Sequence, residues 1–237
     1  ANTGDALYYN PAGLWLISTP TVQAFYSVPF NITDLTTAAF NFTIPSKWGN
    51  GTVNFESYGF DLYRETTLSA AYSQSFRQKL IYGIVFNVDH LVIKNGGSAS
   101  AVAMDVGFLF KPNEKVILGF SARNVNRPLI AREPLPQVLS FGVSYCILEA
   151  LTLNADLVKD VKFPTDFRAG AEYQFFGKLF LRIGTASEPS RFSAGIGLDF
   201  GAGVVDYAVY SHSDLGVTHA VSLSFHLHRK TPRRIKN

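Results

Sequence analysis

The side chains best suited to covalent chemistry are Ser211 and His219, close to the carboxyl end of the chain. Both fall on the apolar side of alternating segments, and a hairpin register could place them side by side. Nucleophilic catalysis would require a hydrogen bond between them and a third group that orients the imidazole. No Asn or Asp occupies that side, so the pattern indicates a protein that is not an enzyme.

Metal and cofactor chemistry also find little support. None of the five histidines, His90, His212, His219, His226 and His228, has the spacing to Asp, Glu or Cys that a closed metal shell needs. The single Cys146 excludes an internal disulfide. A net charge of +3 is too small to indicate nucleic acid. We therefore expect no metal, no cofactor and no nucleic-acid partner.

Nine charged residues lie on the opposite, polar side of the same alternating segments. They are Asp105, Arg123, Asp156, Arg168, Glu172, Arg182, Arg191, Asp199 and Asp206. Unpaired charge inside a closed structure is costly, so we expect these residues to form a network of salt bridges. The alternative is a path for polar solutes.

The elements that carry these residues show period-two alternation. In segment 217–227 the apolar residues fall on odd positions, and small or polar residues fall on even positions. The same pattern recurs along most of the chain, as a β-strand with two different faces requires. About fourteen strands result, over 20–29, 34–45, 51–60, 65–75, 78–91, 98–111, 114–125, 136–146, 149–158, 164–175, 177–186, 190–200, 202–211 and 216–228.

The composition indicates which environment each face of the predicted strands contacts. Only 16% of residues are charged, against about 25% in a soluble domain, and no run is long enough for a membrane helix. The polar face carries Gly, Ala, Ser and Thr instead of the Lys and Glu of a water-exposed sheet. The sequence therefore predicts an all-β fold, a single closed antiparallel transmembrane β-barrel with lipid against its apolar face.

The connections between strands alternate in predicted length. Short links fall at 76–77, 112–113, near 148, at 177 and at 201, and longer ones at 92–97, 126–135, 159–163, 187–189 and 212–215. Outer-membrane barrels have short periplasmic turns and longer external loops. This parity predicts a bacterial outer-membrane location with both termini periplasmic.

Three regions follow: an N-terminal segment 1–19, a barrel 20–228 and a basic periplasmic tail 229–237. The stretch Gly4-Asp-Ala-Leu-Tyr-Tyr-Asn-Pro-Ala-Gly-Leu14 resembles the segment before the first strand in the FadL superfamily. The ending 205–219 resembles the last hairpin of that superfamily's compact PorV/PorQ branch. The resemblance implies a fourteen-stranded barrel whose N-terminal segment enters the lumen as a hatch, or plug. Its turn would be formed by Asn10, Pro11, Ala12 and Gly13; the alternative is a turn that only tethers the N-terminus.

The resemblance to PorV/PorQ implies a partner- or cargo-binding component of a secretion-type or other envelope complex. Short loops favour this function. The candidate partner loop is the proline-rich 126–135, with Arg127, Pro128, Leu129 and Ile130. The alternative is FadL-like uptake of a hydrophobic small molecule, and an outer-membrane lipase comes last. The expected partners are outer-membrane lipid, another envelope or secreted protein, and a hydrophobic small molecule.

Overall fold

A computed structural model describes residues 3–227, and fourteen of its strands form one closed barrel. The barrel strands are β1 Thr21–Val28, β2 Thr37–Ser46, β3 Gly49–Phe60, β4 Tyr63–Phe76, β5 Leu80–Ile93, β6 Gly97–Phe110, β7 Val116–Arg123, β10 Val138–Leu148, β11 Leu151–Asp160, β12 Thr165–Phe175, β13 Leu179–Ser187, β14 Ser190–Asp199, β15 Gly203–His212 and β16 Gly216–His226. A small hairpin, β8 Leu129–Ile130 and β9 Glu133–Pro134, lies between β7 and β10.

Closure joins the first strand to the last. Strand β1 pairs antiparallel with β16, from Thr21 opposite His226 to Val28 opposite His219. Every other neighbouring pair in the barrel is also antiparallel. The predicted closed antiparallel barrel of fourteen strands is confirmed, with strand limits close to those expected from the alternation.

The apolar face of each strand points outward and stays exposed. Leu68, Phe141 and Leu198 are 55%, 51% and 51% exposed, whereas inward residues such as Thr43 and Ser73 are fully buried. An unbroken ring of exposed large apolar side chains around a closed barrel is the surface that lipid requires. Among the described residues, no helix is long and apolar enough to cross a bilayer.

The connections depart from the predicted parity of lengths. The two longest, 29–36 and 124–137, do lie on the rim opposite the chain ends. On that same rim, however, 188–189 is as short as a hairpin turn, because β13 and β14 stay paired to Ser187 and Ser190. On the other rim, 111–115 is longer than predicted because Asn113 Oδ1 accepts hydrogen bonds from the Lys115 and Val116 amides.

The wall is not of even height. Strands β3 to β6 extend further towards the rim of the long loops than β7 and the strands beyond it. On their outward face, Ser57, Thr66, His90 and Ser100 are neighbours in the ladder and form one polar row. Their neighbours one step below, Phe55, Leu68, Val88 and Val102, are all apolar and exposed. The continuous apolar surface is therefore interrupted at this polar row, beyond which Val92 is the next outward residue of β5.

The N-terminal segment lies inside the barrel. It forms a short helix α1 (Ala6–Tyr9) and a 3₁₀ helix (Pro11–Leu16), followed by the chain's entry into β1. It packs mainly against β4, β5 and β6, so it fills one side of the lumen. Residues 1 and 2 and the predicted tail 229–237 lie outside the described range.

Candidate functional site

The turn at Asn10 connects the N-terminal segment to the barrel wall. Asn10 Oδ1 accepts a hydrogen bond from the Ala12 amide at 3.1 Å, which begins the 3₁₀ helix. Its Nδ2 donates to the carbonyls of Phe108 and Phe120, each at 3.1 Å. These carbonyls belong to adjacent strands, β6 and β7, so one side-chain amide joins the segment to both.

Glycines in the wall make room for this turn. A Cβ at Gly83 would stand 2.4 Å from the carbonyl carbon of Pro11, and one at Gly107 would stand 2.2 Å from Asn10 Oδ1. Gly83 and Gly107 are directly opposite each other on β5 and β6. Because real Cβ atoms do not approach so closely, only glycine at these positions lets the segment lie against the wall. We call Gly83 and Gly107 the glycine cradle.

Apolar packing holds the segment on the cradle side. Leu7, Leu14 and Ile17 form a buried cluster with Ala71 and Val85 of the wall. A second buried cluster joins Ala12 to Ile81 and Leu109. Burial of such side chains contributes about 1.5–3 kcal/mol each, so apolar contact is the main source of docking energy.

Side chains of the wall also bond the segment's main chain. Asn50 Nδ2 donates to the carbonyls of Leu14 at 2.7 Å and Ile17 at 2.8 Å. The Ser121 hydroxyl donates to the Tyr9 carbonyl at 2.8 Å. These bonds satisfy carbonyls at helix ends, which would otherwise be buried without partners. The segment is thus matched to the wall by polar as well as apolar contacts.

The first residues of the segment make polar contacts with strands β1 and β3. Gln23 Nε2 donates to Asp5 Oδ1 at 2.7 Å, and Tyr8 Oη donates to Asn54 Oδ1 at 3.0 Å. Burial raises the pKa of the Asp5 carboxyl and the pKa of the Tyr8 phenol above their ordinary values. Both groups therefore favour their neutral forms more than they would in water.

Two cavities flank the segment. The smaller, about 290 Å³, lies between the segment and loop 124–137; Leu7 and Tyr8 line it from the segment, and Ile130, Leu135 and Pro136 from the loop. We call it the outer pocket. Its remaining charged lining is Glu56, Glu65, Asp89, Asp105 and Arg123.

The larger cavity, about 1160 Å³, lies on the side of the lumen that the segment leaves free. Ser27 and Thr37 line it near the rim of the long loops, and Thr19, Gly201 and His226 line it near the other rim. It therefore extends along most of the barrel's height. We call it the side passage.

The nine predicted lumenal charges all lie on inward positions of their strands, but only some of them meet. Arg182 Nε contacts Glu172 and Arg182 Nη1 contacts Asp206, each at 2.6 Å. Arg168 and Arg191 both pair with Asp166, at 2.7 Å and 3.5 Å. These two groups are the lumenal ion pairs among the described residues.

The other predicted charges bond differently. Asp105 accepts from Asn87 Nδ2 at 2.9 Å and from the Asn124 amide at 2.7 Å. Asp199 accepts from the Gly201 amide within its own turn. Arg123 and Asp156 have no ion pair within 4.0 Å in residues 3–227. The salt-bridge network is thus two clusters instead of a continuous chain.

Asp166 is a lumenal residue that the sequence analysis missed. It accepts hydrogen bonds from the Ser187 and Glu188 amides, both at 3.0 Å, besides its two arginine partners. Its position two residues before Arg168 places it on the same inward face, and that spacing could have identified it. Asp5, Asn50 and Gln23 were also missed, because their contacts join segments that are distant in sequence.

Ser211 and His219, the pair that the lipase alternative would require, are not in contact. His219 lies opposite Val209 and Ser211 opposite Val217, so the two residues are not ladder partners. His219 Nδ1 instead hydrogen bonds to Tyr207 Oη at 2.7 Å, and the Ser211 hydroxyl donates to the Phe192 carbonyl. The register of the hairpin separates the pair, and the lipase hypothesis fails with it. No group of three or more potential metal ligands occurs within residues 3–227.

The candidate partner loop folds on itself and against β6, where Asn126 Nδ2 donates to the Val102 carbonyl at 2.8 Å and Asn126 Oδ1 accepts from the Met104 amide at 2.9 Å. Arg127 Nε donates to Gln137 Oε1 at 3.1 Å, and the Pro128 carbonyl accepts from the Leu135 amide. Ile130 lines the outer pocket, whereas Leu129 is 59% exposed. Of the four predicted partner residues, Leu129 presents the largest free apolar surface on this loop.

Comparison with solved structures gives the fold a context. The CymD monoaromatic hydrocarbon channel superposes with a TM-score of 0.75 at 11% identity, covering 96% of this chain and 94% of its own. The Pseudomonas putida toluene transporter TodX gives 0.68 at 12% identity, covering 96% and 95%. The barrel has the fold of FadL-family channels. A Pseudomonas aeruginosa FadL homologue gives 0.67 at 11% identity, covering 96% and 95%.

These likenesses confirm the predicted FadL-like fold, and at such low identity they establish the fold alone. No family model matches the chain, and no curated protein matches it. The PorV/PorQ branch and a secretion role stay predictions. The structures named above are a monoaromatic hydrocarbon channel, a toluene transporter and a FadL homologue.

Proposed function

We propose that this protein is an outer-membrane uptake channel for small hydrophobic molecules, with residues 3–17 as its hatch. The observation that carries the proposal is that this segment docks inside the closed barrel, where the turn at Asn10 and Pro11 lies directly against the glycine cradle. A segment that merely tethered the N-terminus would need no such matched surface. The fold's likeness to hydrocarbon channels supports the same conclusion.

The outer pocket is the proposed first binding site. At about 290 Å³ it has the size of the smallest ligand pockets, which are roughly 300 Å³. Leu7 of the hatch and Ile130 of the loop would contact an apolar ligand. A ligand held there would rest directly on the hatch, so movement of the hatch would open the way inward.

Charge around the outer pocket narrows the proposed substrate class. Four carboxylates, Glu56, Glu65, Asp89 and Asp105, face a single Arg123. Negative potential at a mouth repels anions and tolerates neutral or cationic solutes. The proposed substrates are therefore uncharged apolar molecules, and fatty-acid anions are excluded from the proposal.

The location follows the same reasoning. The apolar outward face of β5 runs from Leu80 to Val88, close to the roughly 9–11 residues that a tilted strand needs to cross a bilayer. Loops 29–36 and 124–137 would be external. The rim where β1 begins and β16 ends would then face the periplasm, as the sequence predicts for both termini.

Partner binding stays a second candidate, supported by the exposed Leu129 on a short, proline-rich loop. It is the weaker candidate because the rest of the loop packs onto its own rim.

The test is uptake in proteoliposomes. Purified protein is reconstituted, and entry of a radiolabelled monoaromatic hydrocarbon and of a long-chain fatty-acid anion is followed against protein-free vesicles. We expect the hydrocarbon to enter several-fold faster with protein and the anion to show no gain. Equal hydrocarbon rates with and without protein would overturn the proposal.

A charge reversal tests the outer pocket. Glu65→Lys changes the charge at the pocket wall, and we expect it to admit the fatty-acid anion. Asp61→Lys makes the same change on an exposed turn outside the pocket, paired only with Arg64 at the surface. If both variants behave alike, the outer pocket does not select the substrate.

A further inference from the structure

The side passage has features of a second route, separate from the hydrophobic one. The hatch packs on β4, β5 and β6, and the passage lies between the hatch, which lines it with residues such as Tyr9 and Ile17, and strands β12 to β16 and β1. Its lining mixes hydroxyls and charged groups with apolar side chains such as Ile17, Phe25 and Phe180. A space of about 1160 Å³ with hydroxyls and charged groups on its walls is large and polar enough to hold water and hydrated ions.

The charges along the side passage are mainly negative. Asp5, Glu56, Glu172, Asp199 and Asp206 line it, and Arg182 is the one lysine or arginine among its described lining residues. Arg182 is already engaged by two carboxylates, Glu172 and Asp206, each at 2.6 Å. One arginine between two carboxylates leaves one net negative charge, and Asp199 adds another, so the passage has a negative potential that concentrates cations and depletes anions.

A turn lies beside the inward residues just beyond the outer end of the passage. Phe30 and Asn31 adopt left-handed backbone angles, with φ of 54° and 58°. The Phe30 amide donates to the inward Thr218 hydroxyl at 3.0 Å, and the Phe30 ring contacts His212 edge to face. The inward neighbours one step below, Tyr210 and Ala220, line the passage.

The conformation of Phe30 is unusual for a bulky residue. Left-handed backbone costs of order 1–3 kcal/mol for a residue other than glycine, and it persists only where surrounding contacts enforce it. Here the Thr218 hydroxyl and the His212 ring supply those contacts. The turn therefore holds an aromatic ring at the mouth of the lumen against its own backbone preference.

We propose that the side passage is a water-filled, cation-preferring pore beside the hatch, narrowed at its outer end by Phe30. Small hydrated cations and neutral polar solutes cross it while the hatch stays docked. The two cavities share Tyr8 and Glu56, but this function does not depend on the hydrophobic uptake proposed above, because the passage runs beside the docked hatch and needs no movement of it.

The experiment is conductance of the full-length protein in planar lipid bilayers under a gradient of potassium chloride. We expect a steady conductance with potassium more permeant than chloride. Absence of any conductance above the bare bilayer, in both the wild type and the Phe30→Gly variant, would overturn the proposal. Failure of hydrocarbon uptake would leave this conductance unchanged, so the two proposals fail separately.

Variants at one position locate the ion path. Ala208 lines the passage on β15, and Ala208→Lys and Ala208→Glu add opposite charges there. We expect the ratio of potassium to chloride permeability to fall several-fold with lysine and to rise with glutamate. Identical ratios for the pair would show that ions cross elsewhere, and would refute the passage.

Phe30→Gly tests the outer constriction. Glycine accepts the left-handed angle without strain, so the turn keeps its path while the ring is removed. We expect a several-fold larger conductance with the same ion preference. A conductance equal to that of the wild type would remove Phe30 from the proposal.

Discussion

A single amide side chain connects the hatch to the wall. Asn10 uses both ends of its amide, one within its own turn and one on the Phe108 and Phe120 carbonyls. Aspartate has nearly the same shape but lacks the Nδ2 donor, so it could not make the two outward bonds. Asparagine provides both the oxygen that the turn requires and the donor that the wall carbonyls require.

Asp5 should make docking of the hatch depend on pH. Burial raises the pKa of the Asp5 carboxyl in the folded protein. Its stabilisation of the docked hatch is therefore fully present below the unfolded pKa and is lost as pH rises through the folded pKa. We therefore expect residues 5–17 to be better protected in acid than at neutral pH. Hydrogen exchange read by mass spectrometry, corrected for the intrinsic rate at each pH, measures this.

Asp5→Asn supplies the comparison for that experiment. The amide keeps an oxygen for the Gln23 donor, lacks a titratable group, and should give protection that no longer changes with pH. Protection that rises with pH in the wild type, or an unchanged pH dependence in the variant, would contradict the role given to Asp5.

At the scale of elements, the glycine cradle should decide whether the hatch docks. Gly83→Ala places a Cβ 2.4 Å from the carbonyl carbon of Pro11, and the adjacent Asn10 is held in place by its hydrogen bonds to β6 and β7. Overpacking of this kind costs about 1–3 kcal/mol. We expect the hatch to exchange its amide hydrogens about tenfold faster or more, while the barrel keeps its resistance to heat in detergent.

Gly195→Ala is the matched control. Gly195 is also an inward glycine in a barrel strand, but a Cβ there would meet nothing closer than 3.4 Å, which is ordinary contact. The control should leave hatch exchange unchanged. Equal effects from the two substitutions would mean that the cradle has no special role.

Period-two alternation was enough to predict the strands, because it depends on each strand alone. The outward residues from Val217 to Leu227, for example, follow directly from the sequence. The contact between Asn10 and the β6–β7 wall could not be predicted, since it depends on a pairing of residues about a hundred positions apart. The relative position of Ser211 and His219 could not be predicted for the same reason, because alternation shows which face of a strand a residue is on but not how two strands pair.

At the scale of the whole molecule, the polar row of Ser57, Thr66, His90 and Ser100 should mark the edge of the lipid contact. The apolar row one step below it lies on the same four strands, and its side chains also point outward. The upper parts of β3 to β6 would then stand above the membrane on one side of the barrel. Loop 124–137 leans against this higher wall through contacts between β8 and β6.

Two arginine substitutions on one face of β5 test this boundary. Ile84→Arg falls near the middle of the apolar stretch and should destabilise the barrel by about 2–4 kcal/mol, because charge there meets hydrocarbon. His90→Arg falls on the polar row and should cost about 0–1 kcal/mol. Reversible urea unfolding in lipid vesicles measures both, and similar losses would place the boundary elsewhere.

Closure of the barrel through β1 and β16 has a consequence for the order of assembly. The seam can form only when the last strand arrives, yet the hatch is joined directly to β1 and its cradle lies on β5 and β6. The early half of the chain therefore already contains both the segment and the surface it rests on. We expect that half to curl around the segment while the seam is still open. The hatch is then enclosed during folding and does not have to enter a closed barrel.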